Sequence, residues 1–203
     1  MAATPSTPLD PVARGLLLRI AAQSIETGLT RAPDEPPATA ALPAELQLQR
    51  ASFVTLTVEH RLRGCCGTLE PRRALAFDVW QNARASAFGD PRFAPLARSE
   101  WEEASLEISV LSPLERVEAG SEQSLQRRLR PCVDGLVLTW RGQRATFLPK
   151  VWEQLPDPGE FIRHLKAKAG WDADFWAADV ESCRYTVETM AVQRPARGMR
   201  WTG

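Results

Sequence analysis

A chain of 203 residues is long enough to bury a self-sufficient core, so neither a metal nor a disulfide is needed to keep it folded. Its 25 basic residues balance 25 acidic ones at a pI near 6.8, which leaves no overall field to gather nucleic acid or an anionic membrane. Arginine supplies 22 of the 25 basic residues, a bias of the kind a GC-rich genome imposes.

The opening residues MAATPSTPLD lack the basic and apolar regions of a signal peptide, and no later run approaches the ~18 apolar residues of a membrane span. The expectation is a cytoplasmic protein. Cysteines 65, 66, 132 and 183 fit no paired zinc spacing, and His60 and His164 are too few and too scattered for a dedicated metal site. No cofactor is expected, and the thiols are read as free.

Residues 1–9 read as a disordered tail, after which Asp10 and Pro11 supply the N-cap and first residue of a helix running to about Gly28. Leu16, Leu17, Ile20, Ser24 and Ile25 recur along it at helical spacing. Pro33, Pro36, Pro37 and Pro43 remove donors and clash with a preceding turn, so residues 30–47 read as a long loop. Val54, Leu56 and Val58 then alternate with Phe53, Thr55 and Thr57, and a polar break at Glu59 to Arg61 leads into a second extended run. This hairpin carries HRLRGCCG. Helical spacing returns through Leu75, Val79 and Ala83, with Phe77, Trp80 and Phe88 widening the stripe and an end near Gly89.

PRFAPLARSEW reads as a turn-rich connection, and Leu106, Ile108 and Val110 mark a strand ended by Ser112 and Pro113. A short helix over Ser121 to Leu129 precedes a second hairpin, Asp134 to Trp140 and Gln143 to Leu148, turning at Arg141 and Gly142. A short helix, a proline break and a longer helix from near Asp157 lead to a final strand, SCRYTVETMAV. Residues 193–203 read as a flexible tail. Hairpins with helices between them, and no repeated strand-helix-strand rhythm, predict an α+β fold over residues 10–192 with a largely antiparallel sheet flanked by helices.

Several segments together resemble the AMME-syndrome candidate-gene domain family, called AmmeMemoRadiSam system protein A in bacteria. They are LRGCCGTLEPRRALAFDVWQNARASAFGDPRF, LEISVLSPLE, DGLVLTWRGQRATFLPKVWEQLPDPGEFIRHLKAKAG and the closing CRYTVE. The family's hexapeptide reads LRGCIG, and Leu62 to Gly67 departs from it only at Cys66. The resemblance implies a larger and a smaller lobe, with the hexapeptide lining a cleft between them. It also implies association with a Memo-like protein and a radical-SAM enzyme. No tight cysteine triplet exists here, so an iron-sulfur cluster in such a pathway belongs to a partner.

If the hexapeptide is a strand, alternation puts Arg63, Cys65 and Gly67 on one face and Leu62, Gly64, Cys66 and Thr68 on the other. The two sulfurs then point apart, which disfavours a vicinal disulfide. Cys66, in the isoleucine position, is read as a small buried hydrophobe. Three readings stay open for Cys65: a reactive thiol tuned by Arg63, an inert residue lining a ligand, or plain core. Gly64 and Gly67 allow a ligand or another backbone to come close. His60 falls in the turn. Asp90 and Arg92 form a local salt bridge in one reading; in the other they face the same cleft as Arg63, where two guanidinium groups would favour a carboxylate or phosphate. Gln154 is the polar exception in the aromatic segment Phe147 to Gln154. The functions expected are a cleft protein beside the radical-SAM and Memo-like partners, with Arg63 and Cys65 at its site, a non-catalytic adaptor for a peptide or partner protein, or a stand-alone thiol enzyme.

Overall fold

The structure, a computed structural model, describes residues 8–33 and 35–192. Residues 1–7 and 193–203, to which most of both expected tails belong, lie outside the described residues. The fold is α+β, as expected, with six α-helices and two four-stranded sheets among the described residues, paired antiparallel at β1-β2, β1-β3, β4-β7, β5-β6 and β5-β7. The described residues divide into two compact units, one of residues 112–187 and one of residues 8–111 with 188–192.

In the larger unit, α1 (Pro11–Thr30) is capped by Asp10, whose carboxylate accepts from the Val12 amide at 2.8 Å. Leu9, which the tail reading leaves outside the domain, is 4% exposed, and its amide donates to the Glu188 carboxylate at 3.1 Å. The proline-rich loop also holds more structure than expected. Pro43 opens a four-residue helix, α2 (Ala44–Gln47), and Leu46 carries it into the core. Strands β1 (Ser52–Val58) and β2 (Arg61–Gly67) form the expected hairpin. Helix α3 (Leu75–Phe88) follows, and the connection after it contains an unforeseen helix, α4 (Arg98–Glu103). Strand β3 (Ser105–Leu111) follows, and with β8 (Val187–Val192) the sheet order is β2-β1-β3-β8. Leu17, Ile25, Val54, Leu56, Val79 and Ile108 are fully buried where α1 and α3 cover one face of this sheet.

The smaller unit contains β4 (Glu115–Arg116), α5 (Glu122–Gln126), β5 (Gly135–Trp140), β6 (Gln143–Phe147), α6 (Pro158–Lys168) and β7 (Glu181–Tyr185), in sheet order β4-β7-β5-β6. Leu136 and Leu138 pack with Trp152, Phe161, Ile162 and Leu165, and Trp152 stacks on Phe161 with ring centroids 3.8 Å apart. The expected single final strand divides at Thr186. Its first half is β7, whereas β8 (Val187–Val192) lies beside β3 in the other sheet. Alternation cannot show such a break, because Thr186 is a good strand residue on either side of it.

Both hairpins close with two-residue turns that need positive φ at both positions. These are Glu59 and His60 (50° and 61°) and Arg141 and Gly142 (46° and 81°). Only Gly142 adopts this backbone without steric cost. Changing Glu59 and His60 to Asn-Gly is expected to stabilise the chain by about 1 kcal/mol. A thermal midpoint that falls in that double variant refutes the turn assignment.

Candidate functional site

The hexapeptide occupies β2, the edge strand of the larger sheet. Val54 pairs with Cys66 and Leu56 with Gly64, which turns those two residues toward the helices. Phe53 pairs with Gly67 and Thr55 with Cys65 on the opposite face. The two sulfurs therefore point apart, and all four cysteines are free thiols. One part of the expected alternation is corrected. Between Leu56 and Thr57 the register shifts, Arg63 is the extra residue of a bulge, and Leu62 pairs with Thr57 on the Cys65 side.

Both glycines of the motif are filled by the protein's own atoms. A Cβ on Gly64 would run into the Ser86 carbonyl of α3, and one on Gly67 would meet the Phe53 ring. Close approach at Gly64 brings the Ser86 hydroxyl between the strands, where it accepts from the Cys66 amide at 2.8 Å and lies 2.7 Å from the Val54 carbonyl. Cys66 is half-buried rather than fully buried, and partial burial pushes its thiol above its ordinary pKa.

The exposed edge of β2 is covered by Asp90 and Arg92. The Cys65 amide donates to Asp90 Oδ2 at 2.9 Å, while Arg92 Nη2 donates to the Cys65 carbonyl at 3.4 Å. The two side chains thus offer one residue the acceptor and donor that a neighbouring strand would supply. Asp90 is 5% exposed and also accepts from the backbone and guanidinium nitrogens of Arg92, so Arg92 holds its carboxyl far below the usual carboxylate range.

Arg63 is held in the same manner by a residue the sequence reading did not single out. Its Nε and Nη2 donate to the two Glu100 oxygens at 2.7 and 2.9 Å, and Nη2 also reaches the Ala94 carbonyl at 2.9 Å. Glu100 reaches back to the Ala97 amide at 2.8 Å, so the cap of α4 and the anchor of Arg63 are one carboxylate. Its pKa is lowered, chiefly by Arg63. Phe93 lies between the two guanidinium groups, 5.6 Å from Arg63 and 5.5 Å from Arg92. Each arginine has its own carboxylate, while Arg63 Nη1 is buried without a hydrogen-bond partner.

A second polar group sits behind the hairpin. Asp78 is 1% exposed and accepts from the Ser52 amide and hydroxyl, at 3.0 and 2.7 Å, and from Asn82 at 2.8 Å. Burial raises its pKa. Asp78, Asn82 and Ser86 recur every fourth residue, a polar stripe legible in the sequence beside the apolar one.

What remains outward is the Cys65 thiol. It is half-buried, and its Sγ accepts from Thr55 Oγ1 at 3.3 Å. Thr55 is paired on its other side with Glu107, so a carboxylate, a hydroxyl and a thiol lie in one row across three strands. His60 is exposed in the turn, and Gln154 is exposed at the end of a 3₁₀ turn in the other unit. Among the described residues, no three His, Cys, Asp or Glu side chains gather to hold a metal, and no helix is long and apolar enough to cross a membrane.

Asp90→Asn is expected to lower stability by about 2 kcal/mol at neutral pH. A carboxylate with a depressed folded pKa stabilises fully above its unfolded value and progressively less as the pH falls below about 4, so the gap from wild type should narrow on acidification. Urea unfolding across pH measures it, and a gap independent of pH contradicts the assigned role of Asp90.

The AMMECR1 family model matches residues 18–190. A protein of Methanothermobacter thermautotrophicus is 34% identical over 179 residues, covering 85% of this chain and 86% of its own. One of Thermotoga maritima is 35% identical over 174 residues, covering 84% and 92%. The crystal structure of an uncharacterised protein from Pyrococcus horikoshii superposes with a TM-score of 0.81 at 28% identity, over 92% of this chain and 98% of that one.

Proposed function

The chain belongs to the AMMECR1 family, and on that premise we propose that it serves a radical-SAM- and Memo-associated modification pathway as a binding component with the Cys65 thiol on its substrate-facing surface. One observation carries this reading. Cys65 turns its thiol to the face away from the helices while Asp90 and Arg92 hold both polar groups of its backbone. A thiol fixed on a strand in this way is presented with little conformational freedom, as a positioned contact or reacting group requires. Arg63 acts as a positioning residue, because its Nε and Nη2 are held by Glu100 and the Ala94 carbonyl.

The test is complementation of cells lacking the gene, scored by the product of the pathway. Cys65→Ser is expected to abolish output while changing stability by less than about 0.5 kcal/mol, as a partly exposed isosteric change should. Cys66→Ser should leave output intact and cost about 1 kcal/mol through a poorly matched polar atom. Full output from Cys65→Ser refutes the proposal.

A further inference from the structure

We infer that the aromatic end of the smaller unit is an interaction surface for an arginine-bearing segment of a partner protein. Trp140 closes strand β5, and the stretch between α6 and β7 lays Phe175 against it, with ring centroids 4.5 Å apart. Trp171 packs edge-on against both rings, at 6.2 and 5.4 Å. Trp140, Phe175 and the adjoining Trp176 are only half-buried, so the cluster shows ring surface to solvent. The backbone beneath it is fixed before any partner arrives, because the fully buried Lys166 spends its ammonium on the carbonyls of Ala173 and Phe175 as well as on Glu122.

Trp176 is the exception in this order. Trp140, Trp152 and Trp171 each donate Nε1 to an acceptor, Asp179 at 2.9 Å, the Asp134 carbonyl at 2.7 Å and Gln143 at 2.7 Å, whereas Trp176 Nε1 is buried and meets none. A buried donor left unpaired is destabilising, and an acceptor brought by a partner relieves it. Charge selects that partner. Asp172, Asp174 and Asp179 are exposed around the rings, and none of the three is ion-paired among the described residues. Arg141 of the hairpin turn opposes them, and its guanidinium lies over the Trp140 ring, 4.7 Å from the centroid. That contact is the geometry in which an indole takes a guanidinium. Among the described residues no cation lies over Phe175 or Trp176, so a second guanidinium has aromatic faces and the aspartates to meet there, while a carbonyl of the same segment accepts from Trp176 Nε1. A nucleic acid is repelled by the same aspartates. This inference does not rest on the role given to Cys65.

A short blocked peptide alternating arginine with glycine, titrated into the full chain and followed at the indole N–H signals by nitrogen-edited NMR, tests it. A saturable shift is expected at the Trp176 indole, with a Kd of about 1 mM that weakens as salt is raised. The same peptide with citrulline for arginine, neutral but alike in shape, should bind about tenfold more weakly. So should the arginine peptide to the double variant Asp172→Asn, Asp174→Asn, whose exposed positions leave the fold unchanged, as the same spectra check. No saturable shift at the Trp176 indole by about 10 mM, equal binding of the citrulline peptide, or full binding by the double variant overturns the inference.

Discussion

Gly64→Ala is expected to destabilise the larger unit by about 4 kcal/mol, the sum of an overpacked contact and the hydrogen bonds lost in relieving it. The obstacle is backbone: the new methyl group would overlap the Ser86 carbonyl oxygen and stand 3.0 Å from its carbon, and neither can swing aside as a side-chain tip would. Relief requires β2 to lift from α3. That movement stretches the bond from the Cys66 amide to the Ser86 hydroxyl and loosens the Asp90 contact with the Cys65 amide. Urea unfolding measures the loss, with Gly15→Ala as the control, because a methyl there meets nothing within 4 Å. A Gly64→Ala cost below about 1 kcal/mol means that strand and helix are not locked at this point.

Lys166→Met should cost the smaller unit about 3–5 kcal/mol, the range for removing one partner of a buried charge pair. Lys166 on α6 is 0% exposed, yet its ammonium meets Glu122 Oε2 at 2.6 Å together with the carbonyls of Ala173 and, at 3.3 Å, Phe175. Methionine fills the space of the stem but strands two carbonyls and a half-buried carboxylate. The segment those carbonyls belong to carries Phe175, whose ring packs on Trp140 with centroids 4.5 Å apart, so its loosening should appear as a change in tryptophan fluorescence before global unfolding. A variant with wild-type stability and fluorescence refutes the structural role of the lysine.

How much of this was legible depends on the range of the interaction. The Asp10 cap, the alternation through Val54 and Leu56 and both turns rest on neighbours in the chain, and they appear where the residues predict. Helix α4 was hidden because Arg98–Glu103 carries a single buried apolar residue, Trp101, and begins at an alanine rather than a capping side chain. The Leu62 face was misassigned because a bulge changes the phase of a strand and no residue type announces it. Glu100 escaped notice as the partner of Arg63 because 37 positions separate them. The polar stripe of Asp78, Asn82 and Ser86 was visible as a pattern, but what it served could be seen only with β1 and β2 against the helix.

The passage at Thr186 bears on the order in which the chain assembles. Strands β3 and β8 are neighbours in one sheet, yet the whole of Ser112–Thr186 lies between them in sequence, and Ser112 and Thr186 join at its base through bonds of 2.9 Å in both directions. The larger sheet therefore gains its last strand only after the smaller unit has been synthesised, and closing so long a loop on an unfolded segment carries an entropic cost that prior folding of the segment reduces. Folding of the smaller unit should thus hasten completion of the larger sheet, and variants such as Lys166→Met should slow the docking of β8 without touching a residue of that sheet.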